Sequence, residues 1–253
     1  MQDCSDLFQY ESPSIPEGCI GISPSGIYKF FDYPSVWYRE NFLGEESEFK
    51  GNTASVTGTI CHYIYEKVSK GEPVDREGIN AQLIAEMSDN PDVNMVEVMA
   101  TYPSVAMAVV NEYVLKHQTK NLWLEEKIAV EYRDGIYIKG TYDRLEGTVL
   151  CDYKNVSRVP NEPFPFKYLM QLMAYAWALR KTGKIVDSLR LIYGIKPTKT
   201  LPARCLVADR AIDYELEQQF KDCMDLIADT CLKAKEDPSL VYLLFKSMKL
   251  KEA

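Results

Sequence analysis

The sequence predicts an α/β or α+β fold, a mixed central β-sheet flanked by helices. Three observations carry this. β-branched and aromatic residues concentrate in 122–132, 136–144 and 149–154, which read as three successive strands, the last two joined by a turn at Glu146-Gly147-Thr148. Apolar residues recur at helical spacing upstream of them, as in Met95, Val98 and Met99, then Val105, Val109 and Tyr113. The run F-K-Y-L-M-Q-L-M-A-Y-A-W-A-L-R-K at 166–181 is apolar on nearly all sides and predicts a buried helix. With 253 residues, 46% of them hydrophobic, the chain can bury one large core.

Residues 1–20 hold Pro, Ser and acidic residues and read as a loose arm; 21–253 read as a single domain. Ser23 is placed to cap a helix with Pro24 at its first position. A second short helix follows Pro34, and its Trp37, Tyr38 and Phe42 read as packing residues. Residues 45–57 are polar and predict a loop, and 58–68 a helix with His62 and Glu66 on one face. Residues 69–121 read as a helical insertion with helices at 75–88, 92–100 and 104–117, either capping a channel or serving as scaffold. In the strand 122–132, Glu125 and Glu126 read as edge charges, with either able to face a site.

Residues 155–165 contain three prolines and form a loop, flanked by Arg158 and Lys167 as candidate phosphate contacts. In the apolar helix, Gln171 needs hydrogen-bond partners and Tyr175 lies one turn on. Gly183 stops that helix. A strand at 187–195, a partner at 201–207 and a long amphipathic helix at 211–236 complete the order, followed by an apolar then basic tail, 239–253.

The composition excludes several classes. No apolar run approaches 18 residues, so no membrane span is expected. The first ten residues are acidic without a basic n-region, unlike a signal peptide. Seven cysteines without a C-x-x-C fit reduced thiols, hence a cytoplasmic protein. A net charge of −8 argues against broad electrostatic binding of nucleic acid, though a local basic groove is compatible with it.

The chemistry concentrates in the hairpin. Asp152 and Lys154 are two apart and share a strand face, while Tyr153 points the other way. Pairing across the hairpin can bring Asp143 to the same end. Two carboxylates at one point repel unless a cation lies between them, and hard oxygen ligands suit Mg²⁺ or Mn²⁺. A lysine beside them can orient water or stabilise charge on phosphorus. Ordinary surface charges would give the same short pattern, and a lone helical histidine such as His62 is more often structural.

Five segments together resemble the RecB-type branch of the PD-(D/E)XK nuclease superfamily, from about residue 23 to 175. Ser23-Pro24-Ser25 with Tyr33-Pro34 through Leu43 is similar to its opening S-x-S…C-P…W/F-x-x-x-x-L segment. Gly58-Thr59…His62…Glu66 is similar to its G-T-x-x-H-x-x-x-E helix. Gly140-Thr141-Tyr142-Asp143 resembles its G-x-x-D strand, Asp152-Tyr153-Lys154 its D-Y-K, and Gln171-Leu172…Tyr175 its Q-L-x-x-Y helix. The resemblance implies a restriction-endonuclease-like sheet and hydrolysis of DNA phosphodiesters. It implies that His62, Asp143, Asp152 and the Tyr153 carbonyl bind Mg²⁺ or Mn²⁺. Lys154 would position the attacking water, Gln171 and Tyr175 would hold phosphate or support Lys154, and Glu66 would stand behind the ligands.

Some relatives hold an iron–sulfur cluster on one upstream and three clustered cysteines. Tyr33 stands at the upstream position here, and Cys205, Cys223 and Cys231 are widely spaced, so no cluster is expected and Cys223 and Cys231 read as packing residues. No G-x-x-x-x-G-K-[ST] is present, so any helicase or recombination partner is another chain. The leading expectation is an exonuclease of recombination, repair or phage DNA processing, in a bacterial or phage-infected cell. The alternatives are a structure-specific endonuclease, a silent DNA-binding scaffold of the same fold, and an unrelated α/β binding protein.

Overall fold

The structure is a computed structural model that describes residues 4, 7–9, 11–45, 47, 49–237 and 239. A three-residue strand, β1 (Ile20–Ile22), leads into a tight turn at Pro24–Gly26 and helix α1 (Ile27–Asp32). Ser23 precedes that turn as expected, but its side chain makes no capping bond. Helix α2 (Pro34–Trp37) widens into a π-helical turn, Tyr38–Phe42.

Helix α3 (Thr53–Ser69) starts five residues earlier than the polarity of 45–57 suggests. Asn52 accepts the Ser55 N–H and the Ser55 hydroxyl accepts the Asn52 N–H, a reciprocal cap that turns a polar stretch into a helix start. Helix α4 is Arg76–Met87. Helix α5 (Met95–Val109) runs straight through Pro103, where two helices are predicted, and ends in a π-helical turn at Val110–Val114. Proline costs the helix one hydrogen bond, but Val98, Tyr102, Val105 and Val109 lie on one buried face across it, and that packing keeps the helix whole.

Strands β2 (Leu122–Arg133), β3 (Ile136–Glu146) and β4 (Val149–Val156) follow, then α6 (Phe166–Lys181), β5 (Ser188–Ile195), β6 (Arg204–Ala211) and α7 (Tyr214–Glu236). β6 lies about three residues later than predicted, and α7 ends at Glu236 as expected but starts three residues later, where Asp213 accepts the Leu216 N–H. Of the expected tail, only Ser239 lies within the described residues.

The sheet is mixed. Its order is β1-β3-β4-β5-β6, with β2 also paired to β3. β1–β3 and β4–β5 are parallel, and the other pairs are antiparallel. Both faces are covered. On one, Leu150, Leu189 and Leu191 pack with Leu172 of α6, Phe220 of α7 and Ile27 of α1. On the other, Cys151, Tyr153 and Ile192 pack with Ile60 and Ile64 of α3 and with Val105 and Val109 of α5. Cys231 belongs to the first core, with Cys223 packed against it. Contrary to the expectation of a loose arm, Cys4 and Leu7 are buried in the second core.

Candidate active site

β3 has two edges, and β2 occupies one along its length. β1 and β4 must therefore share the other. β4 pairs only with Arg144–Glu146, and β1 only with Ile136–Ile138. Between them the hairpin forks. The last rung is Arg144 opposite Cys151, so Asp143 and Asp152 are the first residues past it. At the fork the period-two alternation of β3 also breaks. Tyr142 and Leu145 face the α6 core, whereas Asp143 meets His62 and Arg144 meets Ser69, both on α3.

Past the fork, side chains take over the backbone groups that no strand pairs. The Tyr153 N–H donates to Asp143 Oδ2 at 2.7 Å. The Tyr153 carbonyl accepts from His62 Nε2 at 3.0 Å, which leaves Nδ1 facing Asp143 Oδ2 at 3.6 Å. The carbonyl expected to bind a metal is thus held by the histidine ring.

Glu125 completes this group. Ligand atoms of His62, Glu125 and Asp143 lie within 4.8 Å of one another. The pairs Leu124–Arg144 and Glu126–Tyr142 leave Glu125 opposite Asp143, with its backbone in the left-handed region at φ 49°. The signal for Glu125 is its register with Asp143, but a plain count from the Asp134-Gly135 turn puts Glu126 there. A shift between Glu131 and Arg133 moves the register by one residue and brings in Glu125. The electrostatics show crowding. Burial and the Asp143 charge push the Glu125 carboxyl up to about 8, partly offset by His62. Burial opposes charge on His62, but Asp143 outweighs it and raises the ring to about 9. Burial likewise opposes charge on Asp143, but His62, Lys154 and the Tyr153 N–H together hold its carboxyl below the ordinary range.

Beside this group, Asp152, Lys154 and Gln171 form a closed triangle. Lys154 Nζ donates to Asp152 Oδ1 at 2.9 Å and to Gln171 Oε1 at 3.1 Å, and Gln171 Nε2 donates to Asp152 Oδ1 at 3.1 Å. Asp152 Oδ2 is buried and lies 2.6 Å from the same ammonium. Burial pushes the Asp152 carboxyl up to about 6 against the pull of Lys154. The Tyr175 hydroxyl donates to the Thr141 carbonyl at 2.7 Å, bracing the opened stretch of β3. It reaches that carbonyl across Gly140, where an added Cβ would stand 2.7 Å from the hydroxyl oxygen.

His62, Glu125, Asp143 and Lys154 line a cleft of about 1270 Å³. Glu66 also lines it, paired with Lys70. Arg158 and Lys167 are exposed and outside its lining, though Lys167 and Lys154 both lie over the Tyr168 ring, at 4.7 and 5.0 Å. Of the helical insertion, Met87 alone lines the cleft among the described residues, so the insertion serves chiefly as the second cover of the sheet. A smaller cavity of about 440 Å³ lies between β2, α6 and α7, away from these groups.

The residues present fit a divalent ion. Two carboxylates and an imidazole converge, a donor set of the kind that divalent ions take. A forked hairpin with a carboxylate at the fork, D-x-K on the departing strand and a histidine-bearing helix over it defines a nuclease core of restriction-endonuclease type. The family model of the PD-(D/E)XK nuclease superfamily matches residues 21–239, and the chain belongs to that superfamily, whose nucleases use divalent metals. Among solved structures, a candidate exonuclease from Eubacterium rectale shares the fold at 15% identity and a TM-score of 0.59, over 85% of this chain and 80% of that one. An alkaline exonuclease from Laribacter hongkongensis is a looser match, with 14% identity and a TM-score of 0.41 over 91% of this chain and 94% of that one. No curated protein matches the sequence. No helix among the described residues is long and apolar enough to cross a membrane.

Proposed function

We propose that the chain hydrolyses DNA phosphodiester bonds as an exonuclease dependent on Mg²⁺ or Mn²⁺. The supporting observation is the pair of neighbouring charge groups at the fork: His62, Glu125 and Asp143 in one, Asp152, Lys154 and Gln171 in the other, with Lys154 lining the same cleft as the first group. The exonuclease form follows the name carried by the Eubacterium rectale neighbour.

His62, Glu125 and Asp143 would hold the ion, with Asp152 Oδ2 as a further oxygen donor. When bound, such an ion polarises a phosphoryl oxygen and lowers the pKa of water. Lys154 is held as an ammonium by Asp152, so it donates a hydrogen bond to the incoming water or to phosphate rather than taking a proton. Gln171 fixes both members of that pair. Tyr175 acts from behind, by holding the strand that carries Asp143. Glu66 adds to the acidic field around Glu125. Water oxygen bonds to phosphorus and gives up a proton to solvent, the bond to the departing sugar oxygen breaks, and that oxygen leaves as a hydroxyl with a proton taken from solvent.

The test is degradation of end-labelled linear DNA with Mg²⁺, Mn²⁺ or EDTA. Asp143→Ala and Lys154→Ala are each expected to lower the rate by about 10²–10³-fold while the fold is retained by circular dichroism. Cleavage that survives EDTA, or that Lys154→Ala leaves unchanged, would sink the proposal.

A further inference from the structure

Gly58 has no reason within the fold to be a glycine, and what it does instead rests on the nuclease reading above. It lies inside α3, one turn before His62 and on the same face. Glycine weakens a helix interior relative to alanine, because it has more backbone freedom to lose and no side chain to pack. The fold requires one where the backbone is left-handed, or where a neighbour stands too close for a Cβ. Among the described residues, every other glycine of the chain's 13 meets one of these conditions. Gly78, also helical, would set its Cβ 2.8 Å from Asp75 Oδ2, and Gly194 would set its own 2.5 Å from Asn155 Oδ1. At Gly58 the backbone is helical, and no atom of the described residues lies within 4 Å of the Cβ position. Gly58 lines the cleft that holds His62, Glu125 and Asp143, so the open space is part of that cleft.

We infer that Gly58 leaves room for the substrate itself: the sugar–phosphate backbone next to the reacting phosphate lies against α3 at this position. The spacing fits. Gly58 and His62 are separated by about 6 Å along the helix axis, and a nucleic-acid strand advances about 3.4 Å per nucleotide. A strand whose reacting phosphate sits at the His62 group therefore reaches Gly58 within about two nucleotides. Close approach of such a chain to a helix favours a residue without a Cβ. Charge sets the direction. Lys50 lines the cleft at the Gly58 end, where the positive end of the α3 dipole also lies. Glu66 lines it one turn past His62 and repels phosphate. The sheet side of the same cleft carries Lys127, Thr141 and Lys154, which offer hydrogen bonds to the strand's phosphates.

The experiment compares the parent chain with Gly58→Ala and Gly58→Leu on end-labelled linear DNA with Mn²⁺. Alanine is the better helix former and nothing in the fold obstructs it, so Gly58→Ala is expected to raise Tm by about 2–4 °C. The same variant is expected to raise KM about tenfold with kcat within about twofold of the parent, which marks lost binding rather than lost chemistry. Gly58→Leu fills more of the space and is expected to raise KM about a hundredfold. The rise in Tm that Mn²⁺ gives the parent should persist in Gly58→Ala, because no ligand to the ion is altered. A more stable Gly58→Ala with the parent's KM overturns the inference. So does a lower Tm, which would give the glycine a role in the fold. A fall in kcat together with loss of the Mn²⁺ response also overturns it, by setting the added carbon against His62 rather than the strand. A parent chain that cuts no DNA overturns the nuclease reading, and this inference with it.

Discussion

Asp143 and Arg144 are adjacent on β3 and meet the same helix, yet each begins a separate charge cluster. Arg144 is fully buried. It donates to Glu146, to the Ser69 hydroxyl and to the His117 carbonyl. Glu146 also accepts from Tyr113 at 2.9 Å and from Arg190 at 3.4 Å, and Arg190 is paired in turn with Asp209. None of these side chains is among the buried polar groups without a partner. The Asp143 cluster is unbalanced by contrast. One histidine faces two carboxylates, and Glu125 is driven toward its neutral form. Charge that is already neutralised holds the hairpin closed beyond the fork. At the fork the acids outnumber their one base, and the crowding is relieved by protonation of Glu125.

Three substitutions would break or sharpen this contrast. The largest effect is expected from Arg144→Met, which leaves Glu146 with Arg190 as its one guanidinium partner and takes the buried donor from Ser69 and from the His117 carbonyl, and should cost about 3–5 kcal/mol, read by urea unfolding. A loss under about 1 kcal/mol would mean that the balanced cluster does not hold the hairpin. Gly140→Ala comes next. Its Cβ would crowd the Tyr175 hydroxyl and detach it from Thr141, at a cost of about 1–3 kcal/mol. Pairing it with Tyr175→Phe should recover part of that loss in a double-mutant cycle, and strict additivity would argue that the two do not meet. The smallest effect has the opposite sign. Glu125→Gly relieves a left-handed backbone and removes a crowded acid, so the metal-free protein should gain about 1 kcal/mol. The same variant should lose the rise in Tm that Mn²⁺ gives the parent chain. A Tm response equal to the parent's would remove Glu125 from the ligand set.

The sequence carried most of the frame. The hairpin, the buried helix with Gln171 and the spacing of Asp152 and Lys154 are local patterns, and each is where its residues place it. Asp152, Lys154 and Gln171 do come together, across a strand-to-helix distance that alternation alone can suggest. What could not be read depends on irregularity. The fork splits Asp143 from Asp152 by removing ladder pairs, and no residue type announces that. Glu125 enters through a one-residue register shift, and its neighbour Glu126 is the same residue type. Pro103 signals a break that the buried face of α5 overrides. The packing of the arm depends on Leu7 finding a core formed by residues from Val56 onward.

The peptide unit that joins Asp152 to Tyr153 has a further property. The Tyr153 amide is held by the carboxylate of Asp143, and the next carbonyl by the ring of His62. Both gripping groups belong to the cluster that would close on an ion. A change at the cluster therefore reaches this short length of backbone directly, and the amide proton of Tyr153 carries it as a resonance position. One signal in a nitrogen–proton spectrum thus reports the state of the whole centre, without substrate and without turnover.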